Sequence, residues 1–148
     1  MVNHRFATPE ESPGLLFWQV STLWKRAINS ALAPFGITHT QFVILSVVQY
    51  LAANSKRITQ TEISNLTMID VMTISKTVRL LEKNGLIQRY EDESDSRAKK
   101  LQLTQSGERV LEKATVEVEK IDADFFFTLD ETYAVFLKII KRLKDEHI

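Results

Sequence analysis

The sequence predicts a mainly α fold (α+β by strict count) with one small two-stranded β-hairpin set among the helices. Apolar residues recur at spacings of 3 and 4 through most of the 148-residue chain. Gly and Pro number only four and three and fall mostly where helices should start or stop. A Thr-x-x-Gln/Glu capping box, in which two side chains satisfy backbone N–H groups reciprocally, stands at the start of three of the expected helices. After residue 85 helical periodicity lapses, and it resumes at about residue 104.

Each element follows from local chemistry. Ser12 is a helix N-cap and Pro13 stands at the first helical position, where its missing N–H costs nothing. Leu16, Val20, Leu23, Ala27 and Ala31 then mark a helix over about 13–33, ended by Pro34-Phe35-Gly36. Thr38-x-x-Gln41 opens a second helix over about 38–52 with Phe42, Leu45 and Val48 inward, followed by a polar connector from Ala53 to Arg57. Thr59-x-x-Glu62 opens a short third helix to about residue 66 with Ile63 and Leu66. Asp70 caps a fourth, which ends at Gly85, a C-terminal glycine. Its apolar stripe is Val71, Ile74, Val78 and Leu81, and the opposite side holds Met72, Thr73, Ser75, Lys76, Arg79 and Lys83.

Residues 86–91 and 98–103 read as short strands flanking a polar turn over 92–97. From Thr104 to about Phe127 a fifth helix carries Leu111, Ala114, Val118, Ile121 and Phe125 at alternating 3 and 4 spacing. Thr128-x-x-Glu131 opens the last helix, where Leu129, Tyr133, Phe136, Ile140 and Leu143 continue the seam. Three adjacent Phe at 125–127 cannot all face one core, because successive helix residues turn by about 100°. Either the run fills a corner of its own fold, or part of it forms a subunit interface.

A short helix, a tight turn, a basic-faced helix and a hairpin are the parts of a winged helix-turn-helix, whose second helix fits the DNA major groove. Charge agrees in moderation. Nineteen Lys plus Arg balance nineteen Asp plus Glu, excluding a polybasic coat, while residues 55–104 carry nine basic against seven acidic groups and residues 105–148 seven against ten. Lys76 and Arg79, one turn apart, can reach phosphates or guanine edges. Thr73 and Ser75 are small enough for close approach, and Met72 can touch a thymine methyl or merely fill a gap. Thr59 and Thr61 stand where hydroxyls and backbone N–H groups meet phosphate, although Thr59 serves equally as a cap. In the hairpin the cationic Arg89, Arg97 and Lys99 are further candidates for contact with DNA. Arg97 suits the negative minor groove, or else bridges to Asp95 to shape the turn.

Other classes are disfavoured. The absence of Cys removes disulfides, thiolate zinc sites, a Cys nucleophile and a thiol switch. His4, His39 and His147 are far apart, and no metal-ligand, P-loop, dinucleotide-binding or nucleophile-elbow motif occurs, so no enzyme, metal or cofactor is expected. Asp92-Glu93-Ser94-Asp95 lacks the Gly and distal Glu of a calcium loop. No apolar run approaches the ~18 residues of a membrane span and no secretory signal is visible, which points to a soluble, cytoplasmic protein.

Three blocks carry a resemblance to a known family: Gly36-Ile37-Thr38-x-x-Gln41-Phe42-x-x-Leu45; Thr73-Ile74-Ser75-Lys76-x-Val78-x-x-Leu81-Glu82-x-x-Gly85-Leu86-Ile87; and Asp95-x-Arg97-x5-Leu103-Thr104-x-x-Gly107. In this order, with helices before and after, the chain resembles the MarR (multiple antibiotic resistance regulator) family over about residues 12–147. The resemblance implies a homodimeric transcriptional regulator binding a pseudo-palindromic operator in double-stranded DNA, and the expected role is that of a repressor. It implies a winged helix-turn-helix DNA-binding domain over 34–104 and a helical dimerisation domain from 12–33 plus 105–148. Leu16, Ile121, Phe125, Phe126, Phe136, Ile140 and Leu143 are the dimerisation candidates. It also implies a small aromatic or anionic effector between the two lobes, near Trp18, Trp24 and His39. The hairpin departs from the pattern. Glu91, Asp92, Glu93 and Asp95 would repel phosphates, lowering wing affinity or making it strongly salt-dependent, unless Asp95 is taken up internally. That acidity and the zero net charge motivate the alternative, a protein-interaction module of the same fold that does not bind DNA.

Overall fold

The computed structural model describes residues 5–54, 58–92 and 95–148, with side chains described throughout except from 91 to 99. The order is α1 (Pro13–Leu32), α2 (His39–Asn54), α3 (Gln60–Thr67), α4 (Val71–Lys83), β1 (Ile87–Asp92), β2 (Asp95–Leu103), α5 (Gln105–Phe126) and α6 (Tyr133–Glu146). Short 3-10 turns precede α1, follow it, and join α5 to α6. The mainly α winged helix-turn-helix expected from the sequence is the fold observed.

The caps act as their residue types require. Ser12 Oγ accepts the Leu15 N–H at 3.2 Å. Thr38 and Gln41 form a complete box: Thr38 Oγ1 accepts the Gln41 N–H at 3.2 Å, and Gln41 Oε1 accepts the Thr38 N–H at 2.9 Å. Gly36 and Gly85 both adopt positive φ, at 69° and 74°. At Gly85 the chain closes a Schellman motif, with Leu86 N–H donating to Leu81 O at 2.9 Å and Gly85 N–H to Glu82 O at 3.0 Å.

Three expectations are corrected. The Thr128-x-x-Glu131 box does not open the last helix. Phe127–Thr132 is a 3-10 turn, kinked at Asp130 (φ 49°), and α6 begins at Tyr133 without a side-chain cap. Thr128 Oγ1 instead donates back to Phe125 O at 2.8 Å, so the hydroxyl closes α5 rather than opening α6. The hairpin turn is tighter than a six-residue loop, because pairing runs from Ile87↔Leu103 to Glu91↔Lys99 and, after an irregularity, to Asp92↔Asp95. Val71 is exposed and not part of the α4 core stripe. It lies in the first turn, about 60° around the helix from Ile74.

The core is continuous. Ile28 and Leu32 of α1, Ile44 and Leu45 of α2, Ile63 of α3, Ile74, Val78 and Leu81 of α4, Ile87 and Leu101 of the hairpin, and Leu111 and Ala114 of α5 are all sealed from solvent. α6 contributes no buried residue. Among the described residues no single helix is long and apolar enough to cross a membrane.

Candidate nucleic-acid interface

The helix-turn-helix is built by α3, a tight turn and α4. Thr59 Oγ1 accepts the Glu62 N–H at 3.2 Å and so caps α3, while Thr61 is exposed. α3 ends at Met68, whose positive φ of 61° reverses the chain. Ser64 holds that turn from both sides, its carbonyl accepting the Met68 N–H at 2.8 Å and its hydroxyl donating to Ile69 O at 2.7 Å. Asp70 then caps α4. Its Oδ1 accepts the Thr73 N–H at 2.8 Å and its Oδ2 the Thr73 hydroxyl at 2.6 Å. These bonds, the hydroxyl's first, hold the Asp70 carboxyl below its ordinary range.

With Ile74, Val78 and Leu81 sealed inside, the opposite side of α4 stands clear. Met72, Lys76, Arg79 and Lys83 follow one another at spacings of 4, 3 and 4, which superposes them on one ridge, and all four are exposed. Ser75 and Thr73 are half-buried beside it. The helix therefore offers a groove a ridge of one soft apolar side chain followed by three cations.

The hairpin treats its basic residues differently. β pairing puts Arg89 opposite Leu101 and on the same face as the buried Ile87. Turned inward, the guanidinium meets Glu82 of α4 in a two-pronged ion pair, Nε to Oε2 and Nη2 to Oε1, each at 3.0 Å. Arg89 thus braces the wing against α4 in the free chain. Lys100 lies 6.0 Å from the centroid of the Tyr90 ring. The side chains of Arg97 and Lys99, and of Glu91, Asp92 and Asp95, lie outside the described residues, as does Glu93 altogether, so the acidic-wing expectation rests on sequence.

At the opposite end, α1, α5 and α6 enclose an apolar groove of about 830 Å³. Leu16, Phe126, Phe136 and Ile140 line it, together with Phe17, Val20, Tyr133 and Leu137, which sequence reasoning had not singled out for this role. The Phe run winds around the α5–α6 corner of its own chain. Phe125 meets Phe126 edge-on, Phe126 stacks on Phe136 at 5.7 Å, and Phe127 meets Tyr133 edge-on at 5.0 Å while remaining 57% exposed. Ile121 packs beside the core, and Leu143 is exposed on α6.

Of the effector candidates, the structure brings two together and leaves the third apart. Trp24 and His39 are in edge-to-face contact at 5.0 Å, whereas Trp18 projects from α1 at 70% exposure. Trp24 also donates its indole N–H to Asp122 Oδ1 at 2.8 Å. That partner is 98 positions away, beyond the reach of any local spacing signal. The His39 imidazole is held below the ordinary histidine range, by burial first and then by the Lys25 charge, with Asp122 opposing.

Comparison with known proteins agrees with this architecture. Residues 37–99 match the MarR family. The chain is 39% identical over 122 residues to the uncharacterized HTH-type transcriptional regulator YdcH of Bacillus subtilis (strain 168), covering 82% of this chain and 83% of that one. Among solved structures it is similar to S. aureus MepR in its DNA complex, with 26% identity, a TM-score of 0.81, and coverage of 95% of this chain and 100% of the other. It is also similar in fold to CouR of Rhodococcus jostii bound to p-coumaroyl-CoA, with 23% identity, a TM-score of 0.76, and coverage of 95% and 92%.

Proposed function

The chain belongs to the MarR family of transcriptional regulators, and from that premise we propose that it acts as a homodimer that represses transcription by occupying a pseudo-palindromic operator. The observation that carries this reading is the outer ridge of α4, where Lys76, Arg79 and Lys83 stand exposed while Ile74, Val78 and Leu81 anchor the helix in the core. Two such ridges, about 34 Å apart, fit successive major grooves on one face of a duplex.

On this reading residues 34–104 are the DNA-binding domain, and residues 12–33 with 105–148 are the dimerisation domain. The apolar groove between α1, α5 and α6 supports the second assignment. Leu16, Phe126, Phe136, Ile140 and Leu143 lie on helices that leave large apolar side chains uncovered in a single chain, and a second copy buries them. The dimer then sets the distance between the two ridges. Arg97, Lys99 and Thr61 supply contacts to the backbone or minor groove beside them. The similarity to MepR in its DNA complex supports the DNA partner.

A small aromatic or anionic effector binding near Trp24 and His39 would act by favouring a dimer whose ridges are wrongly spaced. A preference of about 1–3 kcal/mol for that form weakens operator binding about 5- to 150-fold. The similarity to CouR bound to p-coumaroyl-CoA supports an effector of this chemistry. If neither phenolic acids nor their CoA thioesters shift the melting temperature or operator affinity, the effector step falls.

Selection from random duplexes tests the main reading. Enrichment of an inverted repeat supports the regulator. No enrichment at low salt, with the chain folded and dimeric, favours a protein-interaction module instead. In a reporter strain, loss of the protein should raise transcription from a promoter carrying the repeat; a fall would make it an activator.

A further inference from the structure

The basic ridge of α4 begins with a side chain that offers a groove no charge and no N–H or O–H. Met72 heads it at 71% exposure, and Val71 next to it is exposed as well. Neither serves the core, which α4 reaches through Ile74, Val78 and Leu81. The hydroxyl of Thr73 is already committed to Asp70 Oδ2 at 2.6 Å, and both oxygens of that carboxylate are held by Thr73. The next hydroxyl, Ser75, is half-buried. The first turn of the helix, the part that enters deepest toward base edges in helix-turn-helix complexes, is thus apolar where it is most exposed.

Base edges differ in how they receive such a surface. Guanine presents two acceptors in the major groove and cytosine an amino donor; an apolar side chain covering either strips water from a polar group without replacing it. Thymine presents a 5-methyl group, for which apolar contact is favourable. We propose that Met72, flanked by Val71, reads thymine through its 5-methyl group, so that each operator half-site carries T·A pairs where the start of α4 enters the groove. Lys76, Arg79 and Lys83 then engage phosphates or guanine edges farther along the same ridge. This inference rests on the chain being a DNA-binding regulator and adds which base its recognition helix selects.

The test uses the full-length protein and the duplex obtained by selection. Each thymine of the half-site is replaced in turn by deoxyuridine, which removes the methyl group alone, and binding is measured by fluorescence anisotropy for wild type, Met72→Ala and Met72→Leu. At one or two thymines per half-site, wild type and Met72→Leu lose about fourfold in affinity on methyl removal, the size expected for one buried methyl group. Met72→Ala binds the thymine duplex more weakly and is indifferent to deoxyuridine at those positions. If wild type binds its operator yet tolerates deoxyuridine at every position, or if Met72→Ala keeps the full methyl dependence, the inference is wrong and the regulator reading stands. If selection returns no duplex and the α4 surface instead captures a protein, both fall together. Circular dichroism and an unchanged denaturation midpoint confirm that Met72→Ala is folded, as expected for an exposed side chain.

Discussion

Gly107 of α5 lies directly against the carbonyl of Leu86: a Cβ built on Gly107 would stand 2.1 Å from that oxygen. The same carbonyl accepts the Thr104 N–H at 3.1 Å, and Thr104 Oγ1 accepts the Gly107 N–H at 3.0 Å while donating to the Gly85 carbonyl. The end of α4, the exit of the wing and the start of α5 are therefore tied at one point. Leu103-Thr104-x-x-Gly107 has a mechanical meaning: it sets the wing's base against the helix that runs to the far end of the chain.

Gly107→Ala should destabilise the fold by about 1–3 kcal/mol or more, because backbone rather than a flexible side chain must yield to the added methyl group. Gly14→Ala is the control, since nothing lies within 4 Å of a Cβ there. Urea midpoints measure both, and an unaffected Gly107→Ala would mean that the α4–wing–α5 junction is looser than described.

Thr104→Ala removes a cap and leaves the Gly85 carbonyl without its hydroxyl partner. The expected cost is about 1–2 kcal/mol by equilibrium unfolding, with Thr104→Ser recovering most of it. Equal losses for both variants would assign the effect to the methyl group instead.

Arg89 and Glu82 should couple in a double-mutant cycle by about 0.5–1 kcal/mol, modest because both side chains remain partly solvated. Arg89→Lys should lose most of the coupling, since an ammonium group cannot make the parallel pair of bonds. Additive single variants would show that the brace contributes nothing to stability.

His39 makes stability depend on pH with a definite sign. Its native value is lowered, so the unfolded chain binds the extra proton first. Its contribution is full above the ordinary histidine value of 6.5 and declines as pH falls through that value and the lowered native one. Melting temperatures between about pH 8 and pH 5 should fall less steeply for His39→Gln than for wild type. A steeper fall in the variant would reverse the assignment.

Much of the fold was legible because its signals are local. Ser12, Thr38, Thr59, Asp70, Gly85 and Thr104 each act on backbone within a few residues, and each sits where its chemistry placed it. The failures have physical causes as well. Thr128 carries the residue types of a capping box, but its hydroxyl found the nearer Phe125 carbonyl. Arg89 looks cationic and available in sequence, yet strand alternation turns it inward onto Glu82. The Trp24–Asp122 bond joins helices far apart in the chain, so no spacing rule foretells it. Exposure separated Val71 from the α4 core, a distinction that apolar character alone does not make.

Hydroxyl-radical footprinting of the selected duplex tests most directly whether paired α4 ridges grip DNA. The account predicts a two-fold symmetric pattern on one face, with protected centres about one duplex turn apart, lost when Lys76 and Arg79 are both replaced by Ala in a folded dimer. A single asymmetric patch, or a symmetric one indifferent to those two replacements, would contradict it.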